Sequence, residues 1–232
     1  MIEFLKLTYR KILAIDHESP KVVSHVCRAL EGKMNGTVVD VGCGFGRTLR
    51  FLKAAGIEAI GVDINPEIVA HNRRDGLACL SPEEFFGQHR LADVVIMSHV
   101  VEHFSPQELF IFMESYLNLL RSGGCLLIAT PLMSDRFFDD FDHIRPYQPI
   151  GLSMVFGSGS AQVQYRSQHR LELVDLWFRR SPYAIAFARG LYLRTWTSRW
   201  IQMTNFFLAI TFRFSCGLIG RTTGWVGLYR KN

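Results

Sequence analysis

The chain has 232 residues, 48% of them hydrophobic and 20% charged, with a formal net charge of +5. That length suits one domain with a well-formed core and an appended cap, and that composition excludes a disordered chain. The five cysteines (Cys27, Cys43, Cys79, Cys125, Cys216) are odd in number and scattered. They exclude a disulfide framework and a cysteine metal site, and they point to a reducing compartment.

Residues 2–15 place Leu5, Tyr9, Ile12 and Leu13 at helical spacing, which predicts an amphipathic helix. Glu3, Lys6, Arg10 and Lys11 break up its apolar residues and argue against a signal peptide. Ser19-Pro20 predicts the N-cap and first-turn proline of a second helix. Val22, Val26 and Leu30 give that helix a core face, and Gly32 ends it.

The chain is organised around Val38-Val39-Asp40-Val41-Gly42-Cys43-Gly44-Phe45-Gly46. The β-branched run reads as a buried parallel strand, and the glycines as a tight turn into a helix from Thr48 to Ala55. Glycine lets the backbone bend and lets a ligand come close, because no Cβ intervenes. Asp63 closes a second strand, Ile60-Gly61-Val62-Asp63, where a carboxylate can accept two hydrogen bonds from a ribose diol. A ligand-free turn with a solvated Asp is the alternative to either feature taken alone. The two together in one βαβ unit predict a nucleoside cofactor. A dinucleotide fingerprint would need its third glycine at position 47, which is Arg.

Asn65-Pro66-Glu67 predicts the next helix start and Gly76 its end, with a short third strand over Leu77–Leu80. Ala92–Met97 is the fourth strand. Ser105-Pro106-Gln107-Glu108 is a capping box opening a long helix, with Leu109, Phe112, Tyr116 and Leu120 inward. Gly123 stops it, and Cys125–Ala129 is the fifth strand. Pro131–Gln164 reads as a long irregular stretch. Leu171–Phe178 and Trp225–Tyr229 read as the last two strands, with residues 180–224 as a helical insertion between them.

Two polar clusters follow the fourth and fifth strands. His99-Val100-Val101-Glu102-His103 matches H-x-x-E-H, an inverted zinc-peptidase motif. Its place directly after a buried strand sets the peptidase aside. A metal ion held by Glu102 and His103, or residues that only line a cleft and cap a helix, remain open, and no metal ligand is carried forward. The second cluster is Asp139-Asp140-Phe141-Asp142-His143-Ile144-Arg145-Pro146-Tyr147. A histidine near neutral pKa can take a proton from an alcohol, so His143 is the first candidate base and His103 the second. A structural His143 paired with Asp140 or Asp142 is the alternative.

After Asp175 the chain has nine basic residues, no acidic one and all four tryptophans. Its longest uncharged run, Trp200–Phe212, has thirteen residues, fewer than the roughly 20 a bilayer span needs. Trp, Tyr, Phe and Arg in this pattern suit a helix lying at an anionic membrane surface. A homodimer interface or a lid over a greasy pocket are the alternatives, and nucleic acid is disfavoured because phosphate contacts do not need so many apolar residues.

Asp40-x-Gly42-x-Gly44-x-Gly46, Asp63, Ser98–His103 and Gly123–Ile128 resemble the class I S-adenosylmethionine-dependent methyltransferases over residues 20–147. The resemblance implies an α/β, Rossmann-like fold: a seven-stranded, mostly parallel sheet with an antiparallel last strand, helices on both faces and a helical insertion before that strand. It implies a cofactor-binding domain of residues 1–179 with 225–232, and residues 180–224 as cap or membrane-surface element. It implies S-adenosyl-L-methionine held by Asp40, Gly42, Cys43, Gly44, Gly46, Asp63, Ile64, Ser81 and Ser98. An acidic residue commonly holds the adenine amino group in this family, and Ser81 stands in its place. His-x-Arg-x-Tyr from His143 resembles a segment that covers the active site of small-molecule, glycan and quinone methyltransferases. The implied function is O-methylation of a small-molecule, glycan or lipid-linked acceptor, in the cytoplasm or peripherally at the inner membrane face. A catalytically silent binding or scaffolding protein of the same fold at a membrane is the rival.

Overall fold

A computed structural model describes residues 18–33, 35–159, 162–193 and 195–232, so the helix expected over 2–15 lies outside the described residues, as does Arg194. The described chain forms two units, residues 18–177 with 225–232, and residues 178–224.

In the larger unit, α1 (Glu18–Ala29) leads to β1 (Val38–Val41), α2 (Arg47–Ala54), β2 (Ala59–Val62), α3 (Pro66–Arg74) and β3 (Cys79–Leu80). There follow α4 (Pro82–Gly87), β4 (Ala92–Ser98), a 3-10 turn (Val101–His103), α5 (Pro106–Leu119) and β5 (Leu120–Pro131). A second 3-10 turn (Phe137–Asp139) and α6 (Pro149–Phe156) precede β6 (Leu171–Ser181), and β7 (Arg221–Lys231) closes the chain. The sheet order is β3-β2-β1-β4-β5-β7-β6. It is parallel from β3 to β5, with β7 and β6 bringing in antiparallel pairing.

All four residues of β1 are buried, because parallel neighbours flank it and both sheet faces are covered. Successive side chains point to opposite faces. Val39, Val41, Val95, Met97, Leu126 and Ile128 pack with Leu109, Met113 and Leu117 of α5. Val38, Val94, Ile96 and Leu127 pack with Val22 and Val26 of α1 and Leu52 of α2. Strand order reverses between β1 and β4, and the carboxyl ends of those two strands form the crevice where open α/β sheets bind ligands.

Four details differ from the sequence expectation. α1 is already helical at Glu18, so Ser19 is inside the helix and not its cap; Glu18 makes a tertiary contact with His99. α4 was not expected, although Ser81 and Glu84 form a full capping box in front of it. Pro131–Gln164 is not all irregular: α6 buries Leu152 and Phe156 but has neither a capping side chain nor a polar face to betray it. The last two strands are also longer than expected at the ends that run into the second unit.

The second unit contains α7 (Arg189–Leu193) and α8 (Thr197–Phe214). The Asn205 side chain spans from α8 to residue 185, accepting from Ile185 N at 2.8 Å and donating to Ile185 O at 3.0 Å. Gly220 packs beneath Phe212, where a Cβ would lie 2.5 Å from a ring carbon. No described helix is long and apolar enough to cross a membrane. The tryptophans are divided: Trp225 is fully buried in the larger unit and donates to Tyr147 O at 2.9 Å, whereas Trp196 and Trp200 of the second unit are exposed.

Candidate active site

The three glycines after β1 all have positive φ, at 67°, 49° and 74°, for different reasons. A Cβ on Gly42 would meet Val100 Cγ2 at 2.5 Å, and one on Gly46 would meet Leu77 Cδ1 at 2.6 Å and Asn72 Oδ1 at 2.8 Å. Those two glycines serve protein packing. A Cβ on Gly44 would meet nothing within 4 Å, so Gly44 faces open space at the crevice. Buried Asn72 braces the turn from below, donating to Gly44 O at 2.7 Å. Cys43 turns its thiol into the core, 3.6 Å from Cys79 Sγ, and burial pushes that thiol up. Cys43 therefore presents its backbone, not its sulfur, to the turn.

Asp63 follows β2 and fastens the turn. Its Oδ2 accepts from Gly44 N and its Oδ1 from Asn65 N, both at 2.9 Å. Each carboxylate oxygen keeps a second lone pair. Asp40, the third residue of β1, is 1% exposed. Burial, with the Asp63 charge adding to it, pushes the Asp40 carboxyl up to about 7. Among the described residues its Oδ2 has no hydrogen-bond partner. A buried carboxylate oxygen left unpaired beside an open glycine turn fits a ligand that brings a hydrogen-bond donor. Ile64 is largely exposed next to Asp63, and Ser98 ends β4 across the switch point. Ser81 caps α4: its hydroxyl accepts from Glu84 N at 3.2 Å and donates to Glu83 at 2.8 Å.

The residues after β4 make the other wall. His99 sits at φ 57°, with its N–H held by Ala129 O at 2.8 Å. Its Nε2 lies 2.7 Å from Glu18 Oε1 and its Nδ1 3.2 Å from Glu102 Oε1. Burial is the largest single influence on this ring and acts to lower its pKa. The hydrogen bonds and charges of Glu102 and Glu18 together overcome it and hold the imidazole up at about 9. Glu102 is fully buried, and its Oε2 accepts from Thr130 Oγ1 at 2.9 Å. Its carbonyl accepts from Ile144 N and Arg145 N, which ties the His143 segment to the end of β4.

That tie brings the two candidate bases together. The rings of His103 and His143 stand 4.9 Å apart, edge to face. His103 Nδ1 is 3.1 Å from Asp142 O, and His143 Nδ1 is 2.7 Å from Phe137 O. A carbonyl only accepts, so each Nδ1 carries a proton, and the neutral tautomer of either ring has its lone pair on Nε2. His143 Nε2 also lies 3.6 Å from Asp140 Oδ2. Atoms of Glu102, His103 and His143 that could ligate a metal lie within 4.8 Å of one another. Tyr147 OH donates to Phe104 O at 2.9 Å and pins the end of the segment.

Sequence reasoning did not single out Glu18, Asn72 or Thr130. Asn72 and Thr130 lie in ordinary helix and strand context and Glu18 at a helix start, and no spacing rule joins them to residues 28 to 81 positions away.

A family model described as a methyltransferase domain matches residues 15–189. None of the curated proteins compared matches the chain. Among solved structures, a SAM-dependent methyltransferase from Archaeoglobus fulgidus is similar at 20% identity, over 98% of this chain and 99% of that one, with a TM-score of 0.56. The YcgJ protein from Bacillus subtilis is similar at 15% identity, over 94% and 99% of the two chains, with a TM-score of 0.54. At these identities the two structures speak for the fold.

Proposed function

Because the chain belongs to the class I S-adenosylmethionine-dependent methyltransferases, we propose that it methylates an oxygen of a small-molecule, glycan or lipid-linked acceptor. The observation that carries the oxygen reading is the pair His103 and His143, each with Nδ1 on a backbone carbonyl and Nε2 left basic. When bound, S-adenosyl-L-methionine supplies a methyl group on a positively charged sulfur. On the cofactor side, Gly44 leaves room, Asp63 offers its free lone pairs to the ribose, and Asp40 Oδ2 offers an acceptor to the ammonium group. The backbone of Gly42, Cys43, Gly46 and Ile64, with Ser98, completes that wall, while Ser81 contributes little because its hydroxyl serves the helix cap.

On the acceptor side, His143 Nε2 would take the hydroxyl proton, leaving the acceptor oxygen free to accept the methyl that a bound cofactor would supply. Positioning supplies most of the acceleration in a displacement of this kind, on the order of 7–11 kcal/mol in favourable cases. General-base help adds roughly 10²–10⁴-fold. A second reading is supported by the Glu102, His103 and His143 cluster: a divalent cation there would lower the acceptor's pKa directly. The arginine-rich, acid-free second unit supports an acceptor held at an anionic membrane surface, with residues 180–224 as the membrane element.

Transfer of labelled methyl groups into a membrane and metabolite extract tests the reading. His143→Ala should lower turnover about 10²–10⁴-fold and leave S-adenosylhomocysteine affinity within about twofold, since His143 is assigned to the acceptor and not to the cofactor. Retained turnover in that variant, with loss in His103→Ala or on adding a chelator, moves the role to the Glu102–His103 pair. Tight cofactor binding with no transfer into any extract fraction would favour the silent binding protein.

A further inference from the structure

The outward face of α8 is unaccounted for by methyl transfer. Trp196, just before the helix, and Trp200, Met203, Phe207 and Phe214 within it recur at steps of four, three, four and seven residues, and each is at least 50% exposed. At 3.6 residues per turn they form one stripe. The buried residues of the helix, Ser198 and Ala209, lie about half a turn from Trp200 and Phe207, so the helix packs on one side and presents the stripe on the other. Tyr192 and Leu193 of α7 and Leu218 beyond α8 are exposed as well. A soluble surface rarely shows so many large apolar side chains in one row.

Charge decides what covers the stripe. Residues 178–224 contain seven arginines and no aspartate, glutamate or lysine. Arg189, Arg199 and Arg213 are exposed on α7 and α8, and residues 176–232 contain no aspartate or glutamate to pair with them. A second copy docked stripe to stripe would set the acid-free, arginine-bearing stretch 178–224 against itself, and like charges across an interface oppose association. A surface of anionic phospholipid headgroups over acyl chains matches both features, with acyl chains for the stripe and headgroups for the arginines. Tryptophan also suits the boundary, having an apolar body and a polar N–H.

We infer that the Trp196–Phe214 stripe of α8 is the face by which the protein lies in the interfacial layer of an anionic membrane. The inference rests on the proposed membrane-held acceptor only for its purpose, since the docking itself needs no turnover. Arginine attraction is screened over about 8 Å at physiological ionic strength, whereas apolar insertion is not.

Flotation of the full chain with vesicles of equimolar phosphatidylglycerol and phosphatidylcholine, against phosphatidylcholine alone, tests it. The wild type should bind the anionic vesicles at least tenfold more tightly, and high salt should weaken this severalfold without abolishing it. Trp200→Ser with Phe207→Ser should lower binding at least tenfold at every salt concentration. Arg199→Glu with Arg213→Glu should erase the preference for anionic vesicles. Calorimetry with S-adenosylhomocysteine on the same variants should give wild-type affinity, which shows that the larger unit is folded, and an unchanged far-ultraviolet circular dichroism spectrum should show that α8 is retained. A wild type that ignores anionic vesicles, or an aromatic double variant that binds them as well as wild type, overturns the inference. So does a dimer in sedimentation velocity that the aromatic double variant dissolves, because the stripe then belongs to a second copy. Loss of cofactor binding by the wild type itself would instead count against the enzyme reading, whatever the vesicles do.

Discussion

The glycine turn and the histidine cluster stand in the same unit but are held by different kinds of contact. The turn is fixed by one carboxylate just after β2 and one amide on α3: Gly44 N on Asp63, Asn65 N on Asp63, Asn72 on Gly44 O. The cluster is fixed through backbone carbonyls across a separation of about 40 residues, with Asp142 O under His103 and the Glu102 carbonyl under Ile144 and Arg145. The first arrangement is rigid before any ligand arrives, because it is part of the sheet's own hydrogen bonding and core packing. The second depends on how one long connection after β5 is seated. Cofactor binding should therefore answer to point changes in backbone geometry, and acceptor chemistry to side-chain identity.

The largest effects should come from breaking the turn at two of its glycines, with opposite outcomes. Gly46→Val places a side chain against Leu77 and Asn72 at positive φ, so overpacking and backbone strain add, at roughly 2–5 kcal/mol. Its melting temperature should fall steeply. At Gly44 an added Cβ meets no protein atom within 4 Å, so Gly44→Val carries chiefly the strain of φ 49°, about 1–2 kcal/mol. That variant should stay folded and lose S-adenosylhomocysteine binding by calorimetry. Unchanged affinity in a folded Gly44→Val protein would mean that the open space at Gly44 is not where the cofactor lies.

Asp63 joins the two roles, and its removal should have a middling effect. Asp63→Ala takes away a charged acceptor offered to the ribose and the anchor for Gly44 N and Asn65 N. Charged hydrogen bonds contribute roughly 1.5–3 kcal/mol, so affinity should fall about ten- to a hundred-fold. Asp63→Asn sharpens the comparison, since the amide keeps one oxygen for a backbone N–H but has no charge. If the asparagine variant binds as wild type does, Asp63 serves the turn and not the ribose.

The same contrast explains what could be read from the sequence. The βαβ unit from Val38 to Asp63 announces itself because every contact that matters falls within one local pattern, and the Asn65 and Ser105 caps follow local rules equally well. Fold class and cofactor followed from those. His103 and His143 could be named as candidates by residue type, but their approach to 4.9 Å depends on a connection whose helix, α6, shows no amphipathic signature. The tail's composition stood out, and the strand pattern already set Trp225 apart from the insertion that holds Trp196 and Trp200. Their burial was not legible: Trp225 completes the core of the larger unit and Trp200 is exposed, a difference set by tertiary packing.

The smallest expected effect lies where the two walls meet, at His99. Glu18 at the start of α1 and Glu102 in the turn after β4 grip its two ring nitrogens. Burial opposes the charge on this ring, but the two carboxylates prevail and hold its pKa near 9, above the ordinary histidine value of about 6.5. A group whose folded pKa is raised gives stability that is fully present below the unfolded pKa and is lost as pH rises through the folded one. The clasp should thus stabilise the protein up to about pH 6.5 and fade toward pH 9. Its side chain is 42% exposed, so solvent screening keeps the contribution modest. The urea midpoint of wild type minus that of His99→Gln, taken at pH 6, 7.5 and 9.5, isolates it. Backbone strain at φ 57° is common to both proteins and independent of pH, so it drops out of the trend. The difference should shrink steadily across the series, and a difference constant from pH 6 to 9.5 would show that Glu18 and Glu102 do not hold a proton on His99.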